Sequence, residues 1–335
     1  MADIERDVGK SEVLVERLDS CETYRTTSRR PSVSCDREED RMILVTGGGG
    51  AVASYAVQTF GAKRVMLLNR AALDVTDKEA VFRAIEKSRP EAVLHLAAET
   101  NVDLCEKNPA HAFRVNETGT ANVAKACAEF GAVMIYVSTA AVFDGNKSEP
   151  YTEDDPVSAQ NIYGRSKLAG EERVAEAGGK FLIIRCGWMI GGGRVDTKFV
   201  TKILKVLNGG GLIKAVNDHS SAITYARELL MQVKELLESG ETGVFHVVNP
   251  GNVTRFDMAK EIVSLIESPA QVLAVGSEEF SLPAQRGNSE ELANARLEAL
   301  GMSRMSGWKK ALKLYIEELE GQGLLRGGKF TEEVR

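Results

Sequence analysis

The sequence predicts an α/β protein built on a doubly wound parallel sheet, and two observations carry that prediction. First, short apolar runs alternate with helical patterns from Met42 onward. Strands that alternate with helices in this way require right-handed crossovers, which place a parallel sheet between two layers of helices. Second, the apolar run 42–46 leads directly into four glycines, which is typical of a strand buried on both faces that ends in a tight turn.

The elements follow in order along the chain, and two residues mark helix ends clearly. Asp77 is a typical N-cap, and Gly131 ends a long helix. In the first half we predict strands at 42–46, 64–68, 91–95, 132–138 and 179–186, with helices at 51–60, 77–88, 109–130 and 163–177. After about Gly191 the alternation becomes irregular, with helices predicted at 197–208, 225–238, 254–266, 289–300 and 306–320 and strands at 211–216 and 243–248.

Bulk composition argues against several classes of function. The chain has 335 residues and a net charge of −6, and no basic stripe that would suit nucleic acid. Its longest apolar runs have the length of strands, so no membrane span is predicted. Five cysteines without C-x-x-C spacing indicate neither a disulfide framework nor a zinc site, and four scattered histidines show no metal-ligand spacing. We expect a cytoplasmic protein that holds no metal and binds neither nucleic acid nor membranes.

The glycine turn at residues 47–50 predicts a phosphate site. Its glycines leave no side chains between the main-chain amides and a ligand, and the N-terminus of the following helix points positive charge the same way. A strand, a glycine turn and a helix in this order form the dinucleotide-binding unit of a Rossmann-like sheet. Four consecutive glycines are also consistent with a flexible turn alone.

A second cluster of polar residues falls further along the predicted sheet. Tyr163 and Lys167 are four residues apart, so in a helix they share a face, and the ammonium can stabilise a phenolate. Strand 132–138 ends next to Thr139, at the edge where open parallel sheets bind ligands. A hydroxyl, a phenol and a lysine beside a dinucleotide suit the protonation of a carbonyl during hydride transfer. The alternative is an exposed helix face with a packed tyrosine.

Several motifs together resemble the extended short-chain dehydrogenases/reductases. These are T-G-x-x-G-x-x-A from Thr46, LAAET at 96–100, NETGTANV at 116–123, VSTAAVFDG at 137–145 and YGRSK at 163–167. Within that group, LDVTD at 73–77, PYTEDDP at 150–156, RCGWMIG at 185–191 and LEALGM at 297–302 are similar to the dTDP-4-dehydrorhamnose reductase family. The resemblance covers residues 42–320.

The resemblance implies an enzyme that reduces a nucleotide-linked 4-keto-6-deoxy sugar. Tyr163 would protonate the ketone oxygen, Thr139 would bind that oxygen, Lys167 would hold the nicotinamide ribose, and Asn116 would shape the site and relay a proton. A polar residue in a helix bend is the alternative for Asn116. The implied cofactor contacts are Gly47, Gly49, Gly50, Ala51, Val52, Asn69, Arg70, Asp74, Val75, Leu96, Ala97, Ala98, Thr100, Tyr163 and Lys167. The implied substrate contacts are Val102, Thr139, Ala140, Trp188 and Arg286.

The second strand indicates which cofactor is used. NAD-selecting sites carry Asp or Glu at its end, whereas this chain has Asn69 and Arg70, and an arginine accommodates a 2′-phosphate. We therefore expect NADPH, with NADH left open. Ala140 and Ala141 replace an acid and a tyrosine that relatives carry near the sugar, which leaves the identity of the sugar open. Two rivals remain: another nucleotide-sugar ketoreductase or epimerase, and a non-catalytic nucleotide-binding subunit.

These inferences divide the chain into four parts. We predict an N-terminal extension at 1–41, a Rossmann-like NAD(P)-binding domain at 42–190, a mainly substrate-binding lobe at 191–320 from which some chain returns to the sheet, and a frayed tail at 321–335. The expected ligand is a small nucleotide sugar, and a homodimer is left open.

Overall fold

The computed structural model describes residues 41–209 and 211–331. The predicted extension at 1–41 lies outside the described residues except for Arg41. The strands are β1 Ile43–Thr46, β2 Val65–Leu68, β3 Ala92–His95, β4 Val133–Thr139, β5 Phe181–Cys186, β6 Trp188–Ile190, β7 Ile213–Val216, β8 Ser220–Tyr225, β9 Gly243–His246, β10 Asn249–Thr254, β11 Val272–Val275, β12 Ser289–Glu290, β13 Leu325–Arg326 and β14 Lys329–Phe330. The α-helices are α1 Ala56–Phe60, α2 Lys78–Ser88, α3 Val102–Lys107, α4 Pro109–Phe113, α5 Thr120–Phe130, α6 Ile162–Glu176, α7 Phe199–Asn208, α8 Ala226–Glu238, α9 Arg255–Leu265, α10 Ala295–Ala299 and α11 Trp308–Gly321.

The central sheet has six parallel strands in the order β2-β1-β3-β4-β5-β9. Successive residues of β1 contribute to opposite faces: Ile43 and Val45 belong to one hydrophobic cluster, and Leu44 belongs to another. All three are completely buried. This burial on both faces explains why the strand reads as an uninterrupted apolar run, and the predicted doubly wound architecture is confirmed.

The chain after β5 builds smaller sheets beside the central one. Strands β10, β8 and β12 form one, with β6 also paired to β8, and β7 pairs with β11. Strand β9 lies in the central sheet, although it belongs to the second half of the chain. One hydrophobic cluster also joins Ile43 from the first half with Ile223 from the second. The boundary between residues 190 and 191 stays a prediction.

Several elements differ from the sequence prediction. The helix predicted at 289–300 is wrong at its start, because Ser289 and Glu290 pair with β8 and only Ala295–Ala299 is helical. The side chain of Asn294 holds both backbone groups of Val248, with Oδ1 accepting from its amide over 2.9 Å and Nδ2 donating to its carbonyl over 2.8 Å. These tertiary contacts override the helical pattern. The strands β6, β8, β10 and β11 and the helix α3 were not predicted.

Two further differences concern a long helix and the C-terminal tail. The helix predicted at 109–130 contains a π-helical turn over Arg114–Gly119, with α4 before it and α5 after it. The tail was expected to be frayed, but β13 and β14 form an antiparallel hairpin in which Leu325 is only 2% exposed. Its burial stabilises the hairpin.

Within the described part of the chain, no helix is both long and apolar enough to cross a membrane.

Candidate active site

A cavity of about 970 Å³ lies at the carboxyl edge of the central sheet. The glycine turn, the residues that follow β3, the end of β4 and the first turns of α6 form its walls, and residues from the second half of the chain close it. Most of the predicted site residues line this one cavity. They are Gly47, Gly50, Ala51, Val52, Arg70, Asp74, Val75, Leu96, Ala97, Ala98, Thr100, Val102, Thr139, Tyr163, Lys167, Trp188 and Arg286.

The glycine turn is needed first for packing against the sheet. Gly47 has a φ of +67°, and a Cβ atom there would lie 2.7 Å from the amide nitrogen of Ala97. The amide of Gly48 donates a hydrogen bond to the carbonyl of Leu68 over 2.9 Å, which fixes the turn to β2. At Gly49, by contrast, the nearest atom to an added Cβ is 3.8 Å away. The turn therefore has one position, Gly47, where only glycine fits, and another, Gly49, where a side chain would have room.

Helix α6 carries the predicted acid and its lysine. Asn161 caps the helix, because its Oδ1 accepts a hydrogen bond from the amide of Gly164 over 2.9 Å. Gly164 also lets the helix contact the end of β4, since a Cβ atom there would lie 2.1 Å from the carbonyl oxygen of Ala141. This close contact brings Tyr163 near Thr139, whose side chain lowers the pKa of the phenol.

Lys167 is tied to the strand that ends in Thr139. Its Nζ donates a hydrogen bond to the carbonyl oxygen of Val137 over 2.7 Å and lies 3.9 Å from the ring centroid of Tyr136. Burial lowers the pKa of this lysine to about 7, although the nearby carboxylate of Glu171 opposes that shift. The side chain of Lys167 therefore loses its positive charge as the pH rises through about 7.

Tyr163 has the protonation state that a proton donor needs. Burial raises the pKa of its phenol well above the ordinary value, and the side chain of Thr139 opposes this shift only in part. The phenol is consequently protonated at neutral pH. Thr139 is oriented in turn by the backbone, because its Oγ1 accepts a hydrogen bond from the amide of Ala141 over 3.2 Å.

Asn116 lies next to the site without lining the cavity. It is completely buried in the π-helical turn. Its Oδ1 accepts from the amide of Glu99 over 2.8 Å, and its Nδ2 donates to the carbonyl of Glu99 over 3.0 Å and to Oγ of Ser166 over 2.9 Å. These contacts join the cavity wall after β3 to α6. Asn116 therefore holds Glu99 and Ser166 in place, and both its site-shaping role and its proton relay stay predictions.

Three other predicted contacts also fall outside the cavity lining. Ala140 is only 2% exposed and packs with Val142 and Phe143 in a small hydrophobic cluster, so the substrate contact predicted for it is not supported by its position. Its neighbour Ala141 lines the cavity instead. Gly49 does not contribute to the lining, and neither does Asn69, whose Oδ1 accepts a hydrogen bond from the amide of Ala72 over 3.0 Å.

The charged residues of the lining are balanced in part by local pairs. Arg286 forms an ion pair with Asp103 over 3.1 Å, which ties the loop before β12 to α3. Asp74 accepts hydrogen bonds from the amide and hydroxyl of Thr76, and these hold the pKa of its carboxyl below the ordinary value. Among residues 41–209 and 211–331, no group of three or more His, Cys, Asp or Glu side chains could hold a metal ion.

Sequence reasoning missed part of the cavity wall. Arg255 and Glu290 line it close to Trp188, and they lie on elements far apart in sequence. Arg255 looks like an ordinary first-turn residue of a capped helix, and Glu290 falls in a segment that was predicted to be helical. No local pattern in the sequence would have joined them. Lys198, Lys202 and His219 are further lining residues that were not predicted.

Comparison with known proteins assigns the chain to a family. The family described as the RmlD substrate binding domain matches residues 41–320, which is more than half of the chain. The chain belongs to this family. The resemblance and the fold class inferred from the sequence are thereby confirmed.

Relatives of known name agree with this assignment. The dTDP-4-dehydrorhamnose reductase of Mycolicibacterium smegmatis is 33% identical over 284 residues, covering 83% of this chain and 86% of the relative. The crystal structure of a dTDP-4-dehydrorhamnose reductase from Clostridium acetobutylicum has a TM-score of 0.80 and 32% identity, and covers 83% of this chain and 99% of its own. The enzyme of that name from Bacillus anthracis, solved in complex with NADP, has a TM-score of 0.80, 30% identity and the same two coverages, 83% and 99%.

Proposed function

We propose that this protein is an NADPH-dependent dTDP-4-dehydrorhamnose reductase, which converts the 4-keto group of a dTDP-linked 6-deoxy sugar into an alcohol. One observation carries the proposal. Thr139, Tyr163 and Lys167 line the same cavity as the glycine turn, in a chain of the RmlD family. A carbonyl held in that cavity has a hydroxyl and a protonated phenol available to polarise and protonate its oxygen.

The residues of the cavity fit a bound NADPH. The turn at 47–50 presents main-chain atoms without side chains, which suits the pyrophosphate. Arg70 lines the cavity beyond β2 and makes no ion pair within 4 Å among the described residues, so its guanidinium is available for the 2′-phosphate. Bound NADPH supplies the hydride that the reduction requires.

The protein's own groups then complete the reduction. With bound NADPH as the hydride source for the carbonyl carbon, the phenol of Tyr163 would give its proton to the carbonyl oxygen, so that the ketone would become an alcohol and the cofactor NADP⁺. Thr139 donates a hydrogen bond to that oxygen. The ammonium of Lys167 stabilises the phenolate that remains until solvent returns a proton.

The non-catalytic alternative has little support in the geometry. Its motivation was the presence of alanine at 140 and 141, where relatives carry an acid and a tyrosine. Ala140 is buried away from the cavity, so the change there does not remove a group from the site wall. Ala141 only enlarges the cavity beside an intact Thr139 and Tyr163.

The test is a panel of nucleotide 4-keto sugars, with nucleotide sugars that lack the keto group as controls, incubated with the purified protein while NADPH absorbance is followed. We expect oxidation of NADPH with the dTDP-linked 4-keto-6-deoxy sugar, and no oxidation above background with the controls. If no 4-keto sugar of the panel is reduced, the proposed function is wrong. If only UDP-linked or GDP-linked sugars are reduced, the chemistry stands and the assigned nucleotide is wrong.

Location and assembly remain further predictions of the same account. We propose a cytoplasmic enzyme, because Cys105, Cys127 and Cys186 are buried free thiols, which suits a reducing compartment. A homodimer is a prediction that sedimentation of the purified protein would test.

A further inference from the structure

We propose that Arg255 and Glu290 form the part of the cavity that recognises the hydroxyl groups of the sugar ring, and so determine which sugar is accepted. The proposal rests on the proposed function for its substrate class. The two residues lie on separate elements and act on the same ring. The carboxylate accepts hydrogen bonds from sugar hydroxyls, and the guanidinium donates hydrogen bonds to sugar oxygens.

The position of Arg255 is fixed although its guanidinium is unpaired. It is the first residue of α9, behind a capping box in which Thr254 and Asp257 exchange hydrogen bonds. Its guanidinium carbon lies 3.7 Å from the ring centroid of Trp188 and 4.7 Å from that of Phe199. Among the described residues, no carboxylate lies within ion-pair distance and no acceptor bonds to its guanidinium. A fixed fork of donors that lines a cavity without an acceptor is suited to a ligand.

Glu290 is held on the neighbouring wall. Its strand β12 pairs with the start of β8, and its carbonyl accepts a hydrogen bond from Oγ of Ser221 over 3.1 Å. The end of β8 pairs with β6, which carries Trp188. One strand therefore sets the spacing between Glu290 and the indole that Arg255 covers. The side chain of Trp188 also opposes the rise that burial causes in the pKa of Glu290.

The surroundings of Arg255 and Glu290 suit the sugar of the substrate better than its diphosphate. Burial raises the pKa of Glu290, whereas the charge of Arg255 opposes that shift, so each group lies within the electric field of the other. Glu290 and the proton donor Tyr163 line the same cavity, and the charge of Glu290 contributes to the high pKa of Tyr163. A carboxylate at this point repels a diphosphate, whereas Lys198 and Lys202, which also line the cavity, offer cations to one.

Two other lining residues do not supply these hydrogen bonds. Ala141 contributes only a methyl group, so its side chain cannot form a hydrogen bond with a sugar. Each hydroxyl of a sugar can donate and accept at once, and a guanidinium beside a carboxylate meets both needs. Arg286 could supply a guanidinium, but it is already paired with Asp103 over 3.1 Å.

The experiment compares the binding of a nucleotide sugar with that of the free nucleotide. Isothermal titration calorimetry is carried out with dTDP-L-rhamnose and with dTDP, on the wild type and on Glu290→Gln, Arg255→Lys and the control Glu291→Gln. Glu291 is the adjacent carboxylate, and it does not line the cavity. The melting temperature and the NADPH affinity of each variant establish that it is folded.

We expect Glu290→Gln and Arg255→Lys each to weaken the binding of dTDP-L-rhamnose about tenfold to a hundredfold, which is the usual range for hydrogen bonds to charged groups. The affinity for dTDP should stay within about twofold of the wild-type value. Glu291→Gln should change neither affinity. Equal losses for both ligands, or no loss for either, would overturn the inference. Arg255→Lys keeps the positive charge but removes the planar guanidinium. A loss of affinity in that variant would therefore show that hydrogen bonding by the guanidinium, and not only electrostatic attraction, contributes to binding.

The outcome is separable from that of the proposed function. If the wild type does not bind dTDP ligands, the proposed substrate is wrong, and the same comparison is made with the UDP, GDP or CDP sugar that the wild type does bind, against its free nucleotide. A sugar-specific loss there supports the inference even though the nucleotide was misassigned. A wild type that binds no member of the panel would overturn both.

Discussion

The ammonium group of Lys167 donates a hydrogen bond to the carbonyl oxygen of Val137 over 2.7 Å, two residues before Thr139. This contact joins the helix that carries Tyr163 to the strand that carries Thr139. The buried ammonium also makes the site sensitive to pH, since burial lowers the pKa of Lys167 to about 7.

The pH dependence of turnover should therefore report on Lys167. As the pH rises through about 7, Lys167 loses its proton and the phenolate of Tyr163 loses its stabilising charge, so kcat should fall on the alkaline side. In Lys167→Arg the guanidinium stays charged, and its residual activity should not show that fall. Rate measurements from pH 6 to 9 on both proteins make the comparison. An unchanged alkaline fall in Lys167→Arg would assign it to another group.

Removal of the phenol of Tyr163 should affect turnover far more than binding. We expect Tyr163→Phe to lower kcat by about two to four orders of magnitude, because no other side chain takes over the protonation of the carbonyl oxygen. NADPH affinity, measured by fluorescence titration, should change little. A variant that retained full kcat would remove Tyr163 from the mechanism.

Arg70 should discriminate between the two nicotinamide cofactors. If its guanidinium binds the 2′-phosphate, Arg70→Ala should weaken the binding free energy of NADPH by about 1 to 3 kcal/mol, which is the range of a charge-assisted phosphate contact. NADH lacks that phosphate and should bind almost as before. Titration of both cofactors measures the difference, and equal losses would show that Arg70 does not recognise the phosphate.

Glu171 and Arg185 form a buried ion pair beneath the site. Their side chains are 6% and 7% exposed, and Nη2 of Arg185 lies 2.8 Å from Oε2 of Glu171. Oγ of Ser138 donates a further hydrogen bond to Oε1 of the same carboxylate over 2.5 Å. Because removal of one partner leaves a buried charge, Glu171→Gln should lower the free energy of unfolding by about 3 to 5 kcal/mol.

An exposed ion pair provides the control for that prediction. Arg304 and Glu235 are 66% and 32% exposed and 3.2 Å apart. Glu235→Gln should cost less than about 1 kcal/mol, since solvent screens such pairs. Urea denaturation of the two variants measures both effects. Similar losses for Glu171→Gln and Glu235→Gln would contradict the argument from burial.

The parts of the fold that the sequence predicted are those with local signals. Strand β1 is a continuous apolar run because both of its faces are buried, and the glycine turn follows because Gly47 needs a positive φ where it meets Ala97. Strand β10 had no such signal: it contains Pro250 and Gly251 and pairs with β8 through an irregular register. Its strand geometry depends on a distant partner, which sequence periodicity does not encode.

The site residues also differ in whether a local sequence pattern could predict them. Tyr163, Lys167 and Thr139 were predicted because helical spacing and the end of a strand are local patterns. Arg255 and Glu290 meet Trp188 only after three separate elements have packed together. The substrate contact predicted for Ala140 lacks support from its position for a related reason, because the short 3₁₀ turn after β4 directs it into a hydrophobic cluster, and Ala141 lines the cavity instead.

The central claim is that hydride passes from NADPH to the keto carbon of the sugar while Tyr163 protonates the oxygen. Its most direct test is one reaction of the dTDP-linked 4-keto-6-deoxy sugar with NADPH that carries deuterium at the transferred position of the nicotinamide. Mass spectrometry and NMR of the product should find one deuterium at sugar carbon 4 and one NADP⁺ for each product molecule. A product without deuterium, or deuterium at any other carbon, would contradict the account.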